Sequence, residues 1–200
     1  MTNTDRKSPW ILARSAQAAI VAAAVADVFR AAAVRDRYLL HTDASPDESG
    51  FISMVFPYLM TLAIVVFLVW LARSRRTAQE LSSQAPLPSR GWTIGAWFIP
   101  VVNFFVPRQF VLDIGRASSP SWEQGRGTML VNLWWVAWIA HALVLVAGNR
   151  LAPESMALLV VAEALMIAAA VLLGLVIQHI TALQTAAPGT TVPVAPLAQA

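Results

Sequence analysis

Residues 51–76 read FISMVFPYLMTLAIVVFLVWLARSRR. From Phe51 to Ala72 no side chain carries a charge, and Arg73, Arg75 and Arg76 follow at once. About 20 helical residues cross the roughly 30 Å hydrocarbon core of a bilayer. Lipid cannot satisfy bare N–H and C=O groups, so a run of this kind must be helical. The arginine cluster has the form of a stop-transfer signal at the membrane surface. The stretch therefore reads as a membrane-spanning helix, and Pro57 predicts a kink within it.

Three further runs share this character, at about residues 9–34, 128–148 and 155–180. Composition agrees with four spans. Of 200 residues, 58% are hydrophobic and 12% charged, against roughly 25% charged in soluble domains. The predicted fold is all-α: an integral-membrane four-helix bundle over residues 9–184, with a short re-entrant or interfacial helical segment between spans two and three. Ser8-Pro9, Ser45-Pro46 and Ser119-Pro120 predict helix starts, because serine caps a free N–H and proline at the first position loses no hydrogen bond. Ser45-Pro46-Asp47-Glu48 also fits a capping box, and Ala152-Pro153 opens the fourth helix in a similar way. A signal peptide is the rival reading of the first run, with Arg6 and Lys7 as its basic end and Ala24-Val25-Ala26 as its cleavage site. Arg14 interrupts that pattern, and the apolar residues continue to Val34.

Basic residues set orientation. The N-terminal end carries Arg6 and Lys7. The 73–127 connection carries Arg73, Arg75, Arg76, Arg90, Arg108, Arg116 and Arg126. The opposite side carries only Arg35, Arg37 and Arg150. This bias, nine against three, predicts a plasma-membrane protein with both termini cytoplasmic. Residues 1–8 form the cytoplasmic N-terminus in this reading. Residues 185–200, with Pro188, Pro193 and Pro196 and no charge, form a disordered cytoplasmic tail. The net charge of +3 then expresses topology, and no nucleic-acid partner is expected.

The 73–127 connection holds an unusual stretch, RGWTIGAWFIPVVNFFVPRQ, at residues 90–109. Its apolar part, Trp92 to Val106, is too short to span and is broken by Pro100 and Asn103. Residues 91–117 are therefore read as a re-entrant or interfacial element, with Trp92 and Trp97 in the headgroup belt. From Pro107 the pattern is amphipathic. Phe110, Val111, Ile114 and Ala117 are expected toward lipid, and Arg108, Asp113 and Arg116 toward water. Candidate residues of an inner-side motif are Trp92, Trp97, Pro100, Asn103, Pro107, Arg108 and Gln109. Packing of the bundle's inner end, a ligand or lipid site, and a partner-docking surface all fit this stretch.

Gly91, Trp92, Gly95, Trp97, Phe98, Pro100, Asn103, Pro107 and Gln109 together resemble the signature of the family known as domain of unknown function 4328. Trp70 with the Arg73–Arg76 cluster, and the Trp134-Trp135 pair, extend the resemblance from the first span to about Gln184. It implies a small multi-span membrane protein of a kind common in actinobacteria, and implies no activity. Two positions depart from the pattern. Phe105-Val106-Pro107-Arg108 replaces a tryptophan or leucine, a basic residue, proline and tyrosine, and Thr77 replaces a common asparagine.

A charge at mid-bilayer costs on the order of 3 kcal/mol on insertion scales, so ionisable residues inside spans are candidates for function. Asp27 and Arg30, three apart on one helix face, are expected to pair. Small residues Ala23, Ala24 and Ala31 on that face place Asp27 toward protein. His141 and Glu163 fall at a similar depth in the third and fourth spans. Each residue has a structural reading: a self-neutralised pair, an imidazole bonded to a neighbouring helix, and a protonated or His-paired acid. Together they form a candidate intramembrane polar cluster for a cation or protons.

No catalytic motif is present: no phosphate-binding glycine loop, no serine nucleophile elbow and no zinc-protease motif. The chain has no cysteine, which removes thiol catalysis and cysteine-held metals. His41 and His179 have no partner at metal-ligand spacing. Neither enzymatic activity nor a cofactor is expected. The expectation is an interaction, scaffold or accessory protein docking lipids or membrane partners, with itself as one possible partner. The alternative is a small transporter or ion- or proton-conducting oligomer built on Asp27, His141 and Glu163.

Overall fold

The structure, a computed structural model, describes residues 4–40, 46–152 and 155–187. Its helices are α1 (Thr4–Leu40), α2 (Pro46–Leu81), α3 (Arg90–Gly95), α4 (Pro100–Asn103), α5 (Val106–Ser118), α6 (Gly127–Leu151) and α7 (Met156–Ala186). Tight 3-10 turns at Ala96–Phe98 and Trp122–Gln124 separate some of them. The segments Pro9–Ala33, Met54–Leu81, Gly127–Leu151 and Met156–Ala186 are each long and apolar enough to cross a membrane. Their outer faces expose Val21, Phe29, Leu62, Val65, Val136, Val146 and Val171. Soluble monomers rarely expose contiguous apolar patches beyond a few hundred Å². This belt calls for lipid around it, and the chain is an all-α bundle of the membrane.

Lipid tails are as apolar as leucine, so burial from water does not drive these helices together. Close approach and interhelical hydrogen bonds do. Along α1, Ala13, Ala16, Ile20, Ala23, Asp27 and Ala31 recur at helical spacing and are all buried. This stripe of small side chains lets α1 lie against α2 and α7. Polar side chains tie the helices further. Gln17 Nε2 donates to the Gly174 carbonyl at 2.8 Å, and Trp70 Nε1 donates to Thr181 Oγ1 at 3.2 Å. Gln184 Nε2 donates to the Ser74 carbonyl at 2.9 Å and to Ser118 Oγ at 3.0 Å. These last bonds hold α7, α2 and α5 at one end of the bundle.

The chain order around the bundle is α2, α1, α7, α6. Helices α2 and α6 share no extended backbone contact, and α5 packs against both of them and against α7. The connection between spans two and three thus closes the ring. Its second turn is locked by an indole. Trp122 is almost fully buried, and a Cβ added at Gly115 or Gly127 would lie 2.5 or 2.7 Å from its ring. Two glycines form the slot that Trp122 fills. Arg116 fastens the same turn, donating from Nε to Glu123 Oε1 at 2.6 Å and lying 3.4 Å from Asp113. The hydrogen bond to Glu123 pushes the Arg116 guanidinium above its ordinary pKa, with both acids adding attraction.

Several helix starts differ from expectation. Helix α1 begins at Thr4, so Pro9 lies inside it rather than opening it. Pro9 is the sixth residue of α1, past the four free donors, so the helix gives up one backbone bond there and continues. Ser119-Pro120 does not open α6. Ser119 follows the end of α5, its Oγ accepting from the Ser121 N–H at 3.2 Å, and α6 starts at Gly127. The chain must turn there to seat Trp122. Helix α2 starts at Pro46 and runs unbroken through Pro57. Ser155 caps α7, accepting from the Leu158 N–H at 3.4 Å. Ser45, Pro153 and His41 lie outside the described residues, as does the tail from residue 188. The first residues of the expected tail, 185 and 186, belong to α7.

Candidate functional site

The polar cluster is built on the α1 stripe. Asp27 continues the row of buried alanines and is only 1% exposed. One turn on, Arg30 donates to Asp27 Oδ1 from Nε at 2.8 Å and from Nη2 at 2.5 Å. The same Nη2 lies 3.9 Å from Glu163 Oε1 on α7. The guanidinium also sits over the Phe56 ring of α2, 5.0 Å from its centroid. Arg30 therefore stands between two carboxylates on two helices. Both Glu163 carboxylate oxygens are buried and accept no hydrogen bond from the described residues. His141 is buried on α6, with Nδ1 2.9 Å from the Ala162 carbonyl. A carbonyl only accepts, so Nδ1 carries the proton. The imidazole is thus anchored to backbone beside Glu163, while Asp27, Arg30 and Glu163 come together directly. Among the described residues, no group of three His, Asp or Glu side chains is placed to hold a metal ion.

The second candidate region is the inserted segment. Pro100 sits at the start of α4, where its missing N–H leaves no carbonyl unpaired. The chain enters through α3 and the 96–98 turn, reverses near residues 99–105, and leaves through α5. Trp97 meets Phe67 of α2 edge-on, with ring centroids 5.3 Å apart, and lies 6.5 Å from Trp134 of α6. Phe67 is about 9 Å along α2 from Arg73, at about 1.5 Å per residue. Trp97, Phe98 and Asn103 line a cavity of about 300 Å³ with Ile20, Met60, Trp138 and Met166, residues from the middle of the long helices. The segment therefore packs against the long helices of the bundle. Trp97 Nε1 and Asn103 Oδ1 are both buried without a hydrogen-bond partner.

Two expectations for this segment are corrected. Trp97 packs inward against Phe67 and Trp134 rather than lying on the outer surface, whereas Trp92 is exposed on α3. On α5, Phe110, Val111 and Ile114 face protein rather than lipid and are buried. They fill the gap between α2 and α6, where lipid would otherwise enter. Arg108 does not point to water alone. Its Nε and Nη2 donate to Asn132 Oδ1 of α6 at 2.9 and 2.6 Å. Pro107 is buried, and Gln109 is exposed, donating to Asp113 Oδ1 at 2.8 Å. The motif residues mostly shape and anchor the hairpin.

A third feature lies at the Arg73 end of α2. A groove of about 760 Å³ runs between α2 and α3, bordered by Arg73, Arg75, Arg76 and Arg90. Thr181, Gln184, Asn132 and Trp122, which hold this end together, carried no signal in the sequence. Their partners are far along the chain, and no local period marks them.

Comparison with curated proteins and with solved structures finds no match. One family model, Domain of unknown function (DUF4328), matches residues 38–182. That range takes in α2, the inserted segment, α6 and nearly all of α7. It begins near the end of α1, later than the resemblance suggested, so Asp27 and Arg30 stand outside it. Three of the four long helices, with the tryptophan- and proline-rich hairpin that bridges α2 and α6, are thus the matched part of the molecule, and the chain belongs to the DUF4328 family.

Proposed function

We propose that this is a multi-pass bacterial plasma-membrane protein, both termini cytoplasmic, that acts by docking lipids or membrane partners. One observation carries the reading. The inserted hairpin exposes Phe98, Val101 and Phe105 at 70%, 72% and 73%, with Phe104 beside them. Closing the ring uses Trp97 and the buried face of α5, so these outward side chains are available to lipid or to a membrane partner. This one holds several outward from a rigid base, fixed by Trp97 against Phe67 and by Arg108 on Asn132. Site-specific photo-crosslinking in native membranes tests it. A discrete adduct from position 101 and none from Leu143, an exposed apolar residue on α6, is the expected outcome. Equal labelling at both positions counts against it. Because the chain has no cysteine, single cysteines at residues 42 and 84 read the orientation by thiol labelling from each side.

One observation favours a second reading, a small transporter or ion- or proton-conducting oligomer using Asp27, His141 and Glu163. Glu163 keeps both carboxylate oxygens without hydrogen bonds, an arrangement open to a cation or proton. Flux into liposomes tests it: Glu163→Gln abolishes flux if the reading holds, and leaves it unchanged if it does not.

A further inference from the structure

The groove at the Arg73 end combines two chemistries in depth order. Arg73, Arg75 and Arg76 line it from the end of the apolar run of α2, and Arg90 from the start of α3. Its other wall is apolar, formed by Val65, Leu68, Val69 and Ala72 of α2 and Ile94 of α3. Among the described residues none of the four arginines has a carboxylate within ion-pair distance. Arg75 donates from Nε to the Pro88 carbonyl at 2.6 Å, which ties α2 to the chain entering α3 and holds the groove's shape. Glu80 is the one acid on its rim. Four cations against one carboxylate leave an anion-attracting mouth directly beneath an apolar trough.

From this juxtaposition we infer that the α2–α3 groove is a binding site for an anionic glycerophospholipid. Its phosphodiester meets Arg73, Arg76 and Arg90, and one acyl chain lies along Val65, Leu68, Val69 and Ile94. Guanidinium forks match phosphate oxygens and hydrogen-bond them in pairs. A free phosphate would use the arginines and leave the trough empty. A neutral lipid would use the trough and leave the arginines without an anion. Only a charged headgroup on an apolar chain uses both walls. This site is separate from the hairpin face, so either assignment can fail without the other.

The test uses the full chain purified in dodecyl maltoside. Dioleoyl phosphatidylglycerol is titrated against it by native mass spectrometry, with dioleoyl phosphatidylcholine and glycerol 3-phosphate as comparators. Arg73, Arg76 and Arg90 are exposed, so Arg76→Gln/Arg90→Gln leaves the packing intact, and gel filtration checks that it does. Expected is one saturable phosphatidylglycerol per chain, at least tenfold tighter than phosphatidylcholine and not displaced by glycerol 3-phosphate. Each arginine lost weakens it by about fivefold, the effect of one basic residue at an anionic lipid surface. Arg150→Gln, far from the groove, leaves binding unchanged, and Val69→Asn in the trough weakens it. Equal affinity for the two lipids, displacement by glycerol 3-phosphate, or indifference to the Arg76/Arg90 pair would each overturn the assignment.

Discussion

Trp97 meets Phe67 at 77° between ring planes, with centroids 5.3 Å apart, and Phe67 in turn stacks on Trp70 at 5.8 Å. Edge-on and offset rings are the favoured geometries, because the positive edge of one meets the negative face of the other. Trp134 lies 6.4 Å from Phe67 and 5.3 Å from Trp135, extending the chain of rings into α6. Aromatic packing therefore spans the gap where α2 and α6 make little backbone contact. The hairpin serves as the missing helix–helix interface.

If so, Trp97→Ala opens the ring. Large aromatic-to-alanine changes cost about 3–5 kcal/mol where the site cannot collapse. Thermal unfolding in detergent should show that loss, with proteolysis newly cutting between residues 90 and 105. Trp97→Phe keeps a ring in place and, since the Nε1 it removes has no hydrogen-bond partner, should lose far less. A Trp97→Ala protein that melts like the wild type would mean that the hairpin is not structural.

Gly115→Ala places a methyl group 2.5 Å from the Trp122 indole. The ring is wedged between Gly115 and Gly127 and cannot simply swing away. Overpacking of this kind costs about 1–3 kcal/mol. Gly91→Ala is the control, because nothing lies within 4 Å of its added Cβ. A lower melting temperature for the first and none for the second is expected.

The four long helices were legible because uncharged runs of that length have few alternatives in any solvent. The hairpin was legible as an anomaly, from its short length, Pro100 and Asn103. The facing of α5 was not legible. In water, the apolar side of an amphipathic helix must face protein. In a membrane, lipid is equally apolar, so Phe110 and Ile114 fit either neighbour by pattern alone. Trp97 was misplaced for the same reason, since tryptophan suits both the headgroup belt and an aromatic core. Asp27 and Arg30 could be paired by their spacing on one helix. The approach of Arg30 to Glu163 depends on the register between α1 and α7, which no local pattern encodes. The tie of Trp70 to Thr181 was hidden for that reason too.

Thr181→Val tests that tie while conserving shape. The Trp70 indole N–H would then be buried without an acceptor, at a cost of about 1–3 kcal/mol. Asn103→Leu should do the opposite. Its Oδ1 is already buried without a partner, and replacing such a group by an apolar one of similar size is neutral or stabilising. Melting curves of the two variants should therefore move in different directions, or Asn103→Leu should not move at all. A marked fall for Asn103→Leu would show that the amide is engaged by something in the membrane.

Arg30 is the centre of the polar cluster, and its removal should cost more than the removal of either acid. Arg30→Gln leaves Asp27 and Glu163 as two buried carboxylates with no cation between them. Breaking a buried pair in this way costs about 3–5 kcal/mol, because the surviving charge loses its compensation. Asp27→Asn is milder, since Arg30 still faces Glu163 at 3.9 Å and the guanidinium keeps the Phe56 ring beneath it. In the double variant Arg30→Gln/Asp27→Asn one uncompensated charge disappears, so part of the loss should return. The double variant should then be more stable than Arg30→Gln alone, with the difference read as a coupling free energy from four melting or denaturant curves. Strictly additive effects would mean that the 2.5 Å contact between Arg30 and Asp27 contributes little, and that Arg30 is held by Glu163 and Phe56 instead. Adding Glu163→Gln to each member of the cycle separates those two cases, because only in the second does it markedly reduce the cost of losing Arg30, leaving the share held by the Phe56 ring.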